Sequence, residues 1–338
     1  NIELTIEEKP TGEIMAGAGY GSDGSTFSVG IKENNFNGKG IILETNLRLT
    51  DDSVKGSFNY EHPNFKYSDR ALSTSIDVIE TDKLTDFGYK SSLNSFSLGT
   101  SYEQFENTFF SPRFSISNES LETTSDASAA YRKQEGSYFD SSFSYGLTFD
   151  KRNSAYQPTS GFYSSWYQQL PIISENQTIT NGYIITGYKE LADDMIVSTG
   201  IYTRAVNSLS NDDVRVSKRL YVPSSRLRGF ESGKVGPKDG DDHVGGNYIV
   251  TFNTSSTIPY ILQTQENMDL KLFFDAGNVW GVDYSNSLDD SDSIRSSTGV
   301  ALEITTPIGP LSFSFAQVLS KASTDKTESF KFQLGTTF

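Results

Sequence analysis

Residues Leu270–Trp280 read "LKLFFDAGNVW". In an extended chain Leu272, Phe274 and Ala276 share one face, and Lys271, Phe273 and Asp275 share the other. The next apolar stretch repeats the pattern, with Val300, Leu302 and Ile304 opposing Ala301, Glu303 and Thr305. At the carboxyl end Phe330, Phe332, Leu334 and Phe338 oppose Lys331, Gln333 and Thr337. The question these stretches pose is which row faces the apolar medium.

Composition answers it. The chain has 338 residues, of which 35% are hydrophobic and 21% charged, with 23 Phe and 18 Tyr. No stretch approaches the roughly 18–20 consecutive apolar residues of a spanning helix. Core-forming residues are also sparse for a soluble domain of this length. A transmembrane antiparallel β-barrel satisfies both facts, because its strands alternate lipid-facing apolar residues with lumen-facing polar ones. Lys271, Asp275 and Glu303 then point into the lumen, since charge facing hydrocarbon is expensive.

Working outward, period-two alternation recurs along the chain, as in Ile14–Gly21, Thr26–Lys32, Ile41–Leu49, Ala71–Ile79 and Tyr138–Asp150. The count of candidates and the even-number habit of bacterial barrels give an expectation of sixteen strands. No linker divides the chain, so residues 11–338 are expected to form one barrel. "NIELTIEEKP", Asn1–Pro10, reads as the end of a preceding domain, or alternatively as a mature terminus left by signal cleavage.

The net charge of −15 argues against nucleic acid, whose binding needs basic patches. Acidic runs such as Lys238–Asp242 and Leu288–Ser293 read as solvated loops, with divalent-ion binding the alternative. The chain has no cysteine, so disulfides and thiolate metal sites are excluded. His62 and His243 both read as ordinary loop residues, so no catalytic residue, metal or cofactor is assigned.

One segment is too long for a hairpin turn: Tyr221–Gly246, containing "SSRLRGFESGKVGPKDGDDHVGG" from Ser224. Half of it, about 13 extended residues at roughly 3.3 Å each, spans on the order of 40 Å. The apolar band of a barrel is only about 25 Å tall. The loop can therefore enter the lumen and bring Arg228 to the wall, where Asp275 is the first candidate partner and Glu303 the second. Gly229 allows a tight turn, and Phe230 is expected to wedge against Phe273. An exposed surface loop is the competing reading.

Leu227-Arg228-Gly229-Phe230 resembles the Val/Ile-Arg-Gly-Phe motif in the sixth extracellular loop of the BamA, TamA and two-partner-secretion transporter superfamily. Other stretches match in order: Lys9–Gly40, Asp150–Phe162, Gly245–Asn247, Phe273–Trp280, Pro307–Ala316 and a carboxy-terminal Phe338. The resemblance spans essentially the whole chain. It implies that Arg228 pairs with Asp275, and that a lumenal Glu lies on the strand after Gly-Gly-Asn. Counting along that strand places Ser255 there, which makes Glu303 the expected substitute.

The resemblance further implies an insertase that folds β-barrel proteins into the bacterial outer membrane, without bond-making chemistry. Its implied partners are unfolded barrel proteins, outer-membrane lipids and accessory lipoproteins, the last through POTRA domains upstream of residue 10. Gly17, Gly19 and Gly21 in the first strand and Gly335 in the last mark an expected weak lateral seam, with mere barrel curvature the alternative reading, and the resemblance implies that Phe338 is an assembly signal. A two-partner secretion transporter or TamA-like factor is the alternative, and a passive porin the more distant one.

Overall fold

The structure, a computed structural model, describes residues 9–125, 127–210, 212–259, 267–288, 292–306 and 309–335. Of the expected preceding-domain segment, residues 1–8 lie outside the described residues, as does Phe338.

The first run of strands is β1 (Gly12–Gly21), β2 (Gly24–Phe36), β3 (Ile41–Thr50), β4 (Ser53–His62), β5 (Ala71–Lys83) and β6 (Tyr89–Phe105). It continues with β7 (Thr108–Thr123), β8 (Gly136–Asp150), β9 (Gly161–Ser174), β10 (Thr178–Ala192) and β11 (Met195–Ser208). Within the loop that follows, β12 (Lys238–Asp239) and β13 (Asp242–His243) make a small separate hairpin. The last run is β14 (Tyr248–Thr257), β15 (Met268–Trp280), β16 (Arg295–Thr306), β17 (Gly309–Ser320) and β18 (Phe330–Gly335). Among the described residues sixteen strands, all but β12 and β13, close into one antiparallel barrel in which β18 returns to β1.

The alternation sets the two faces. Ile14, Phe27, Ile31, Phe58, Ile76 and Phe96 stand exposed on the outside, where hydrocarbon is their natural medium. The inward rows carry short polar residues, including Ser28, Ser97, Ser142, Ser144, Thr251 and Ser297, all buried. They are buried because the lumen is filled.

The filling is the loop between β11 and β14. Val214, Leu220, Val222, Leu227, Phe230 and Val235 of that loop pack on Val206, Ile249 and Val279 of the wall. Val216 and Val244 of the same loop join Phe87, Tyr89, Leu121 and Tyr131 in a second cluster. The apolar core of this barrel is thus a loop, held inside a polar wall by its own hydrophobic side chains. Buried ion pairs lock it at the end of the barrel by which it enters. Arg215 meets Glu119 on β7 at 2.6 Å and Asp140 on β8 at 3.0 Å. Arg219 pairs with Asp283; beside the loop, Arg295 at the start of β16 pairs with Asp325 beyond β17 at 2.9 Å, both fully buried, and Asp325 also accepts from the loop's Gly236 N–H at 3.1 Å.

Candidate functional site

Asp275 on β15 has no exposed surface, so its carboxylate must be satisfied by protein groups. Arg228 supplies a two-pronged contact, Nε to one carboxylate oxygen at 2.7 Å and an Nη to the other at 2.8 Å. The planar guanidinium fits a carboxylate in this geometry, which a lysine cannot reproduce. The Arg228 backbone N–H also donates to Asp275, at 3.2 Å. Below, the guanidinium carbon sits 3.6 Å from the centre of the Phe273 ring, within cation–π range.

Gly229 makes the approach feasible. Its φ is +91°, and a Cβ there would lie 3.1 Å from Ala316 Cβ and 3.2 Å from Val318 Cγ2. The backbone is pressed against β17 with no room for a side chain.

Three sequence expectations change here. Glu303 does not reach Arg228; it pairs with Lys271 at 2.6 Å. Parity put it on the correct face but not at the correct height. Asp275 lies opposite Ser297, six residues along β16 from Glu303, roughly 20 Å at strand rise. Ser255 does not reach the pair either, and its hydroxyl instead sits 2.8 Å from that of Ser198. The β14 residue at the clamp is Asn253, directly opposite Asp275. Its amide donates to Asp275 at 2.8 Å and to the Arg226 carbonyl at 2.7 Å. Finally, Phe230 packs with Leu227 and the loop core rather than on Phe273, whose face is occupied by Arg228.

The loop tip is fastened to the carboxy-terminal side of the barrel. Ser297 on β16 donates to the Arg228 carbonyl. Phe230 bridges Thr327, and the Glu328 N–H donates to the Gly229 carbonyl at 3.0 Å. Toward β1 the tie is slighter: the Ser224 hydroxyl donates to Asp23 at 3.1 Å. Between the loop and the β1–β2 and β3–β4 turns lies a cavity of about 660 Å³, lined in part by Asp51, Asp52 and Glu231.

The seam itself is short. Among the described residues β1 and β18 pair at Gly19 with Gly335, Tyr20 with Leu334, and Gly21 with Gln333. On its other edge β1 pairs with β2 along its whole length, Gly12 to Gly21. Gly335 has φ +129°, and a Cβ there would lie 2.4 Å from both the Ala18 carbonyl oxygen and Gly19 Cα. A Cβ on Gly21 would lie 2.5 Å from the Phe332 carbonyl oxygen. These glycines therefore allow two backbones to close where side chains would hold them apart, a role beyond leaving the face thinly packed. Gly17 sits below the paired run, opposite Ser28 of β2. Above it, the Ser22 N–H donates to the Phe332 carbonyl at 3.0 Å, and Lys331 meets Asp23 at 2.5 Å. Outside, Tyr20 and Phe332 meet edge to face at 5.9 Å.

A family model described as the Omp85 superfamily domain matches residues 35–338. The chain belongs to the Omp85 superfamily. Among its Omp85 relatives, "Outer membrane protein assembly factor BamA" of Neorickettsia risticii is 24% identical over 347 residues, covering all of this chain and 46% of the relative. The chain thus spans about half the length of that curated relative. The crystal structure of BamA from Haemophilus ducreyi lacking POTRA domains 1–3 superposes with a TM-score of 0.90 at 26% identity. That match covers 98% of this chain and 71% of the other. CdiB from Acinetobacter baumannii shares the fold alone, with a TM-score of 0.60 at 13% identity over 96% of this chain and 59% of that one.

Several residues of this Omp85 barrel had no signal in the sequence reading. Asn253 could have been found by pairing β14 with β15 in register, since it falls opposite Asp275. Arg215 and Arg295 could not, because partners on segments separated in sequence leave no periodicity to read. His243 is buried against the Thr324 carbonyl, with its Nε2 3.0 Å from that oxygen. It serves the dome of loops, and burial pulls its pKa below the ordinary value.

Proposed function

We propose that this barrel is the membrane part of an assembly factor that folds and inserts β-barrel proteins into the bacterial outer membrane, in which it is itself integral. The observation that carries the reading is the seam. Among the described residues three pairs close the barrel at β1 and β18, while the neighbouring β17–β18 ladder has five and β1–β2 runs the length of β1.

The membrane converts that short ladder into a mechanism. An edge opened toward hydrocarbon exposes N–H and C=O groups that no water can satisfy. Opening is therefore favourable only when another strand takes the vacated positions, which is β-augmentation by an incoming substrate. No bond is made or broken, so no nucleophile, base or cofactor has a part. The loop clamp keeps the carboxy-terminal wall and the plug together while the β1 side moves. Unfolded outer-membrane barrel proteins are the substrates on this reading, and accessory lipoproteins would engage domains upstream of the barrel.

The test places the protein, with its upstream domains, in liposomes with an unfolded porin and follows protease-resistant folding. Acceleration over empty liposomes is expected, and a disulfide between cysteines at Tyr20 and Leu334 should abolish it until reduced. No acceleration together with steady ion conductance would transfer the reading to a secretion transporter.

A further inference from the structure

The β1–β2 turn reaches across the seam to the last strand. The Ser22 N–H donates to the Phe332 carbonyl at 3.0 Å, and the Phe332 N–H donates to the Ser22 hydroxyl oxygen at 3.2 Å. Both bonds go to main chain, so Ser22 holds a strand whatever its sequence. Asp23, one residue on, meets side chains instead. One of its carboxylate oxygens accepts from Lys331, and the other from the Ser224 hydroxyl at 3.1 Å.

Those two partners part company when the seam opens. Ser224 belongs to the plug, four residues before the clamp residue Arg228, and stays. Lys331 belongs to β18 and leaves with it. The lysine side chain is 14% exposed, whereas that of Asp23 is 44% exposed. An open seam therefore keeps an oriented, accessible carboxylate that has lost its cation. Its surroundings do not replace the charge. The cavity along the seam, of about 310 Å³, sets Asp23 and Asp52 against Arg48. The larger cavity on the loop side adds Asp51, Glu231 and Glu328 against Lys83 and Lys234.

Resting on the reading of β1 as the edge that accepts substrate, we propose that Asp23 is a specificity-determining residue, which selects incoming strands with a lysine or arginine where β18 carries Lys331. Register defines the place. Gly21 pairs with Gln333, so the selected residue lies two positions before the one opposite Gly21, on the same lumen-facing row. β18 is the strand that the structure shows against this edge, and it carries the cation there. A basic residue in the incoming strand restores the pair that β18 took away. A neutral residue leaves the carboxylate bare, and an acidic one meets Asp23 and Asp52 together. One exposed ion pair gives a preference of up to about five-fold, on top of the backbone pairing that every added strand receives.

The experiment uses peptides of the sequence Glu328–Phe338 carrying Leu334→Cys, and the protein, with its upstream domains, carrying Tyr20→Cys, because these two positions pair across the seam. Disulfide yield against peptide concentration reports pairing with β1 and needs no folding substrate. The peptide with Lys331 should reach half-yield at about five-fold lower concentration than its Lys331→Met form, and Lys331→Glu should need the highest concentration. In Asp23→Asn protein the three peptides should coincide, and in Asp23→Lys protein their order should reverse. Equal yields from the three peptides with Asp23 in place would overturn the proposal and leave β1 as the accepting edge. A lysine preference that persists in Asp23→Asn would belong to the acidic surface at large and would overturn it as well. No cross-link with any peptide would remove both the proposal and the reading beneath it. Should Asp23→Lys fail to fold, Asp23→Asn, which keeps the shape of the side chain, decides the matter alone.

Discussion

At Asp275, the Arg228 guanidinium, the Arg228 backbone N–H and the Asn253 amide converge on one carboxylate without exposed surface. Across β16 and β17, Gly19 and Gly335 meet with no side chain at all. One contact is rich in directed polar bonds and the other rests on a few backbone pairs. The difference follows from what each must do. A charge buried in the lumen is tolerable only when fully satisfied, whereas a joint that opens must have few bonds to replace. Net values of about 0.5–1.5 kcal/mol per backbone hydrogen bond put the three pairs of the described seam at a few kcal/mol.

The largest expected effect is at the clamp. Arg228→Ala strands the Asp275 carboxylate and should destabilise the barrel by about 3–5 kcal/mol. Heat-modifiability gels would show unfolding at lower temperature, and a wild-type profile would erase the contrast drawn above. Asn253→Leu removes one bond to the same carboxylate and should cost about 1.5–3 kcal/mol. Measured in the Arg228→Ala background its effect should shrink, because the two residues share a partner.

Gly335→Val tests the other side of the comparison. With φ +129° and no space for a Cβ, strain of about 1–3 kcal/mol is expected. It should appear as poorer disulfide formation between cysteines placed at Tyr20 and Leu334. Lys331→Met removes an ion pair in which the lysine side chain is mostly buried and Asp23 is exposed, and should change stability by about 1 kcal/mol, since the exposed carboxylate remains solvated when its partner is lost. Its signature is faster cross-linking kinetics at the seam, reproduced in wild type by high salt.

The smallest effect concerns pH. Burial, with Lys234 and Lys238 nearby, lowers the His243 pKa from its ordinary 6.5, partly offset by the Thr324 carbonyl. A depressed folded-state pKa means that the folded loop prefers the neutral ring. Its contribution is therefore complete above pH 6.5 and is lost as pH falls through the depressed value. Limited proteolysis of the extracellular loops should accelerate over that window, and less so in His243→Gln.

The sequence showed the wall more clearly than its contents. Alternation placed Lys271, Asp275 and Glu303 on the inward face because side-chain direction has a strict period of two. Height along the barrel has no such period. Glu303 was therefore assigned a partner it cannot reach, and Ser255 was singled out where Asn253 stands. Likewise, the glycines of the seam were visible, but their closeness depends on strands from the two ends of the chain, and no local pattern encodes that. The buried pairs tie Arg215 of the loop to Glu119 on β7 and Asp140 on β8, and Arg295 at the start of β16 to Asp325 beyond β17, and were illegible for the same reason.

The attachment of the loop tip to Thr327 and Glu328, just ahead of β18, also constrains how this molecule is made. Were β18 to join β1 first, the loop would have to be threaded through a finished ring from its extracellular mouth. Docked while the sheet is still an open ribbon, it meets no such obstacle, and it draws the segment before β18 into place. Pairing between the distant chain ends carries the heaviest closure cost and belongs late in any pathway. The seam is then the last part of the molecule to form, and its own birth already rehearses an open state.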